Sequence, residues 1–231
     1  MSFEKNLLIS LLKLTEKGAA SQESVNIDSR LPVSLASSLL RKMQNENLIL
    51  IKDRMVEVNT ESRLKLAVKA IGSGADVECI SALLRWQEFE AMAALALELN
   101  GYFTVKNVWF KNLGRRWEID VVGCRKPLVV CVDCKHWHHG MHTSTLNKIA
   151  NRQADRVTAF ADSLPIIARD FPCAQWSKAK FVPVILSLVP FSPKFCDDIP
   201  VVPVLQLQNF ITQLPLNVKL LKYFSREFSH L

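Results

Sequence analysis

Two short runs of β-branched residues, Trp117 to Gly123 and Val129 to Lys135, flank the basic tripeptide Arg125-Lys126-Pro127. The pattern predicts a β-hairpin that turns at the tripeptide. Alternate side chains of a strand share a face, so Asp133 and Lys135 point one way while Val130, Val132 and Cys134 point the other. On the preceding strand Glu118, Asp120 and Val122 share a face. A register that brings Asp120 near Asp133 sets two carboxylates and an ammonium on an otherwise apolar hairpin. Like charges in such a place are costly unless something offsets them. A divalent cation held by oxygen ligands does so, which makes Asp120, Asp133 and Lys135 the first candidate site. An ordinary surface pair is the competing explanation of Asp-x-Lys, and such a pair contributes little.

These residues carry a resemblance. An aspartate near the end of one strand, then Asp133-x-Lys135 on the next, resembles the PD-(D/E)xK nuclease superfamily. Phe89-Glu90 in an apolar helix that ends at Asn100-Gly101-Tyr102 is similar to the corresponding helix of Mrr-type restriction enzymes and archaeal Holliday-junction resolvases. The run Gln153 to Ala161 looks like the helix that follows the core in the same relatives. The resemblance covers residues 85 to 215 and implies a restriction-endonuclease-like mixed α/β sheet flanked by helices. It also implies a ligand set for Mg2+ or Mn2+: Glu90, Asp120, Asp133 and the main-chain carbonyl of Cys134. Lys135 would activate or position the attacking water, and Gln153 would lie near the catalytic centre. Glu88 is the alternative helix carboxylate, and a glutamate favoured by the helix dipole explains either one without a metal. The proline that often precedes the first aspartate in that family is replaced here by Ile119.

The N-terminal third has a different pattern. Leucines at helical spacing over residues 5 to 16 precede a helix start at Ser21 to Ser24 and a third helix from Val33 to Asn47. A hairpin follows, Leu48 to Ile51 and Met55 to Val58 around Lys52-Asp53-Arg54, and then a fourth helix from Thr60 to Ile71. Three helices and a hairpin resemble a winged helix-turn-helix domain. Gly72-Ser73-Gly74 is the expected boundary between that domain (1–74) and the nuclease-like domain (75–231). Winged helices often place the third helix in the major groove, so Arg41 and Lys42 with Lys52 and Arg54 of the wing are candidate DNA contacts. Arg115 and Arg116, in the basic turn 111–116, are further candidates for phosphate. Solvated basic faces, or a dimerisation role for the domain, account for the same residues without DNA.

The remaining segments predict a long buried helix from Asp76 to Leu99, strands Tyr102 to Trp109, Phe181 to Leu188 beginning at Pro183, and Val201 to Leu207. They further predict helices Leu146 to Phe160, Asn209 to Leu214 and Leu216 to Phe228. The excess of basic residues is spread along the chain, eleven against eight acidic in 1–75 and eighteen against fourteen in 76–231. With a net charge of +7, this permits a polyanionic partner without a basic tail. The hydrophobic content of 49% argues against disorder. Six dispersed cysteines, no signal sequence and no apolar run long enough for a bilayer point to a cytoplasmic protein with free thiols. Cys131, Cys134 and the histidines of 136–142 invite a zinc site, but the two thiols stand on opposite faces of a strand. A loop over the active site, with Trp137 touching nucleic acid, is the alternative role for 136–142.

The leading expectation is a Mg2+-dependent DNA endonuclease that hydrolyses phosphodiester bonds, on branched or other repair and recombination intermediates. It would use no small-molecule cofactor and no membrane, and would work alone or as a homodimer. The rival is a non-catalytic winged-helix DNA-binding regulator with a degenerate nuclease-like dimerisation domain. RNA cleavage is a third option.

Overall fold

A computed structural model describes residues 3–135, 137, 142–164 and 171–228. The chain divides into two compact units, 1–89 and 90–231.

The first unit contains α1 (Phe3–Leu14), β1 (Ala20–Ser21), α2 (Gln22–Ser29), α3 (Val33–Asn45), β2 (Leu50–Lys52), β3 (Met55–Glu57), α4 (Thr60–Gly72) and α5 (Val77–Ala82). This is the element order of a winged helix, with one addition to the expected hairpin. The two-residue strand β1 pairs antiparallel with β3 and completes a sheet in the order β1-β3-β2. Caps set the helix starts: the Ser21 hydroxyl accepts from Ser24 N, and Asn59 Oδ1 accepts from Ser62 N. Leu7, Leu8, Leu11 and Leu12 of α1 are fully buried beside Leu40, Met43 and Leu66.

The single helix expected from Asp76 to Leu99 is broken. After α5 the chain turns at Leu83–Arg85 and restarts as α6 (Trp86–Glu98). The division between the units falls inside α6 rather than at Gly72-Ser73-Gly74. A buried arginine accounts for the shift. Arg63 of α4 donates from Nε to Glu88 Oε1 at 2.9 Å and from Nη2 to the Leu83 carbonyl at 2.8 Å. Nη1 reaches the Leu12 carbonyl at 2.8 Å and Thr15 Oγ1 at 3.0 Å. Residues 75–89 are thereby bonded to the N-terminal helices. Glu88 also accepts from Arg85 N at 2.8 Å, so this carboxylate belongs to the first unit's polar core.

The second unit is a mixed α/β layer structure. Its strands are β4 (Phe103–Asn112), β5 (Arg115–Arg125), β6 (Leu128–Lys135), β7 (Lys178–Ser187), β8 (Phe195–Cys196), β9 (Ile199–Pro203) and β10 (Phe224–Glu227), with helices α7 (Thr143–Ser163) and α8 (Leu207–Asn217). The sheet order is β4-β5-β6-β7-β9-β8, antiparallel from β4 to β6 and parallel from β6 through β7 to β9. The α7 crossover joins parallel β6 and β7, as such pairs require. Its inner face, Leu146, Ala150, Gln153, Val157 and Phe160, repeats at helical spacing. Phe160 meets Phe110, Phe171 and Phe181 at centroid distances of 5.4, 5.2 and 6.0 Å. Gly123 of β5 carries no Cβ, and the Leu97 side chain of α6 lies 3.1 Å from where one would stand. A side chain at this position would require Leu97 to shift by a few tenths of an ångström.

Three expectations about the C-terminal part are corrected. Pro183 sits in the middle of β7, paired with Cys131, and not at its start. The segment Leu216 to Phe228 is not an amphipathic helix: α8 extends to Asn217, a short 3-10 turn follows, and Phe224–Glu227 forms β10. The sheet edge explains the change. β9 covers only Ile185–Ser187 of β7, and β10 pairs with the exposed remainder, Lys178–Phe181. Covering an open edge satisfies backbone groups that a helix would leave unpaired. The strand expected over Val201 to Leu207 likewise ends at Pro203 and passes into a 3-10 turn at Val204–Gln206. All six cysteines are free thiols. No helix among the described residues is long and apolar enough to cross a membrane.

Candidate functional site

The β5–β6 hairpin forms as the sequence implies, with paired residues Val121–Val132, Val122–Cys131 and Cys124–Val129. Extending that register by one residue sets Asp120 opposite Asp133. Both are buried, at 8% and 2% exposure, so two carboxylates share a small volume with little water. Burial, with the Asp133 charge as the next cause, raises the Asp120 carboxyl to about 6. Opposing this, Asp120 Oδ2 accepts the main-chain N–H of Cys134 at 2.7 Å, a bond that favours the ionised form.

Asp133 is held by two cations. Lys135 Nζ lies 2.9 Å from Oδ2, since residues two apart on a strand share a face. Arg156 Nη1 lies 2.6 Å from Oδ1 and also donates to Gln153 Oε1 at 2.7 Å. Gln153 is fully buried, and its Nε2 donates to the Cys131 carbonyl at 2.9 Å. Thus Gln153 braces the Asp133 strand on one side and Arg156 on the other. Arg156 is absent from the sequence-based candidate set, although it stands one helical turn beyond Gln153, where an i,i+3 neighbour shares the same face. Its Nε is buried without a hydrogen-bond partner among the described residues.

Glu90 lies in the second unit, 4% exposed, in the part of α6 that follows the division. Burial pushes the Cys134 thiol well above its ordinary range, and Asp120, Glu90 and Asp133 push it further. Three carboxylates therefore act on one point of β6. Among the described residues no group of three or more His, Cys, Asp or Glu side chains is gathered as a metal cluster. Cys131 points into the α7-covered core, its thiol also raised by burial, so these cysteines do not form a zinc pair. Trp137 is half-buried and packs edge-on against Phe191 at 5.3 Å. His136 and residues 138–141 lie outside the described residues.

The expected basic contacts are dispersed. Arg115 stacks 3.9 Å above the Trp117 ring on the β4–β5 hairpin. Arg115 and Arg116 lie in β5 itself, because the turn is confined to Leu113-Gly114. At ~3.3 Å per residue, Arg116 is roughly 13 Å along the strand from Asp120, so it does not join the carboxylates. In the first unit Arg41 and Lys42 are exposed on α3, flanking a concave face with Ser34, Ser38 and Asn45. Lys42 pairs with Glu4 at 3.2 Å. Lys52 and Arg54 are exposed on the β2–β3 hairpin, whose turn residues Asp53 and Arg54 both have positive φ.

No family model matches the chain. An uncharacterized protein of Archaeoglobus fulgidus is 29% identical over 132 residues, spanning 57% of this chain and 92% of that protein. Among solved structures, the protein of unknown function AF1548 shows 24% identity and a TM-score of 0.30 over 45% of this chain and 47% of that one. Protein VC1899 from Vibrio cholerae shows 14% identity and a TM-score of 0.39 over 94% of this chain and 50% of that one. The chain therefore spans about half the length of each of these two solved proteins, and none of the three is described by an activity.

Proposed function

We propose that the chain is a Mg2+-dependent DNA endonuclease of the PD-(D/E)xK type, guided by its winged-helix unit. The chief support is the juxtaposition of buried Asp120 and Asp133 across β5–β6, with Lys135 Nζ 2.9 Å from Asp133. A divalent cation suits this donor set, because it relieves the burial and like-charge terms that raise the Asp120 carboxyl. Mg2+ is commonly held by one or two carboxylates together with waters, so Asp120, Asp133 and the Cys134 carbonyl would make an adequate set, with Glu90 the further candidate ligand. When bound, the cation polarises a phosphodiester and lowers the pKa of its water.

The protein's own side chains have separate tasks. Lys135, partly exposed beside Asp133, orients the attacking water and offsets charge developing on the phosphoryl oxygens. Arg156 holds Asp133 in place from α7. Gln153 fixes Arg156 and the Cys131 carbonyl, keeping β6 in position. Arg41, Lys42, Lys52 and Arg54 would contact the DNA backbone. A cytoplasmic location agrees with the free thiols.

One observation favours a second reading. Asp133 already has two cationic partners, so the cluster is also internally satisfied as a structural network in a DNA-binding regulator. Incubating plasmid, junction, flap and RNA substrates with Mg2+ or Mn2+ separates the readings. Wild type should cut DNA and Lys135→Ala should not. Absence of cleavage under any divalent ion would favour the regulator.

A further inference from the structure

A second site lies at the other end of β6. A concavity of about 270 Å³ is lined by Arg125, Lys126, Lys180 and Lys219, with no acidic residue in its wall. Several other basic residues of this unit have carboxylate partners, Lys178 with Glu227, Lys222 with Asp197 and Arg226 with Asp162. Among the described residues none of the four cations of the concavity has a carboxylate partner. Arg125 donates only to the Asn100 carbonyl, at 3.1 Å, and Lys180 lies 4.8 Å above the Tyr223 ring. Neither contact cancels charge.

The wall also contains Tyr102, 3% exposed, whose hydroxyl is buried with no hydrogen-bond partner among the described residues. Buried hydroxyls are rarely left unpaired, and an unpaired one points to a missing acceptor. Pro127 and Leu216 add an apolar surface next to the cations. At ~3.3 Å per residue, Leu128 in this wall and Asp133 are roughly 16 Å apart along the strand, so the two sites are separate.

We propose that this concavity binds the phosphate group of a nucleotide unit, with the four cations on the phosphate oxygens and the nucleoside against Pro127 and Leu216. A multi-oxygen anion accepts from several donors at once, which suits a wall carrying four cationic residues. The unit could come from a free mononucleotide or from a nucleic-acid strand, and the two sources are separable. The inference does not rest on metal-dependent cleavage.

The test uses the full chain as wild type and as Lys126→Ala/Lys219→Ala. Both lysines of the double variant are exposed, and far-UV circular dichroism checks its fold. Calorimetric titrations with inorganic phosphate, adenosine 5′-monophosphate and a short duplex DNA supply the readouts. Loss of two charge-assisted contacts should weaken binding about tenfold or more in the double variant. A free-nucleotide site shows this loss with the monophosphate and leaves duplex affinity unchanged. A strand-binding site shows it with the duplex and binds the monophosphate weakly. Tyr102→Phe should weaken the same probe by a smaller factor. If wild type and the double variant bind all three probes equally, or bind none, the proposal is overturned.

Discussion

Asp120 accepts the main-chain N–H of Cys134 at 2.7 Å, so the carboxylate of one strand is bonded to the residue that separates Asp133 from Lys135 on the next. The bond aims Asp120 at the Asp133 side of the hairpin and limits how far the two acidic groups can part. Their repulsion is therefore built into the fold rather than relaxed by side-chain movement, and it has consequences for stability.

A carboxyl raised from 3.8 to about 6 binds its proton more tightly in the folded chain than in the unfolded one. Stability from this group is present at low pH and is lost as pH rises from about 3.8 to about 6. Asp120→Asn removes that loss while its amide oxygen can still accept from Cys134. In metal-free buffer above pH 6 the variant should be more stable than wild type, by at most about 3 kcal/mol, and inactive. Thermal melts of both proteins across pH 4 to 8 in chelator check this. A wild-type advantage at pH 7.5 would contradict it.

Arg156 is paired with Asp133 and would compete there with the proposed cation. Arg156→Gln should cost about 1–3 kcal/mol of stability through loss of the charge-assisted bond at 2.6 Å. The same change should tighten Mn2+ binding in calorimetry and slow cleavage. Unaltered Mn2+ affinity would separate Arg156 from the metal site.

Glu88 and Glu90 lie two residues apart and have different work. Removing one partner of a buried ion pair strands the other, so Glu88→Ala should cost about 3–5 kcal/mol because Arg63 is left charged and fully buried. Cleavage per folded molecule should persist. Denaturant unfolding, with activity normalised to folded protein, reads both effects.

β10 protects an edge. Truncation after Leu221 should speed hydrogen exchange at the β7 amides of Lys178–Phe181 and promote self-association, both measurable by mass spectrometry and light scattering.

The hairpin and its acidic pair were legible because a period-2 pattern and a basic turn leave few registers. Helices α1 to α4 were legible from leucine spacing and from the helix start at Ser21. Three features were not. Arg63 reads as one more polar residue of a helix until tertiary packing buries it against Glu88, 25 positions away. Arg156 gains its meaning only when α7 lies across β6. The β10 segment has Leu220, Leu221 and Phe224 at helical spacing, yet the bare edge of β7 overrides that local preference. Local pattern dictates elements, whereas the pairing of charges depends on which elements meet.

The central claim is that Asp120 and Asp133 together bind a catalytic divalent ion. A crystal of the chain soaked in Mn2+ and measured at the manganese absorption edge tests it directly. The account predicts an anomalous peak bridging the two carboxylates, lost in Asp133→Asn. A well-ordered hairpin with no peak there at saturating Mn2+ would contradict it.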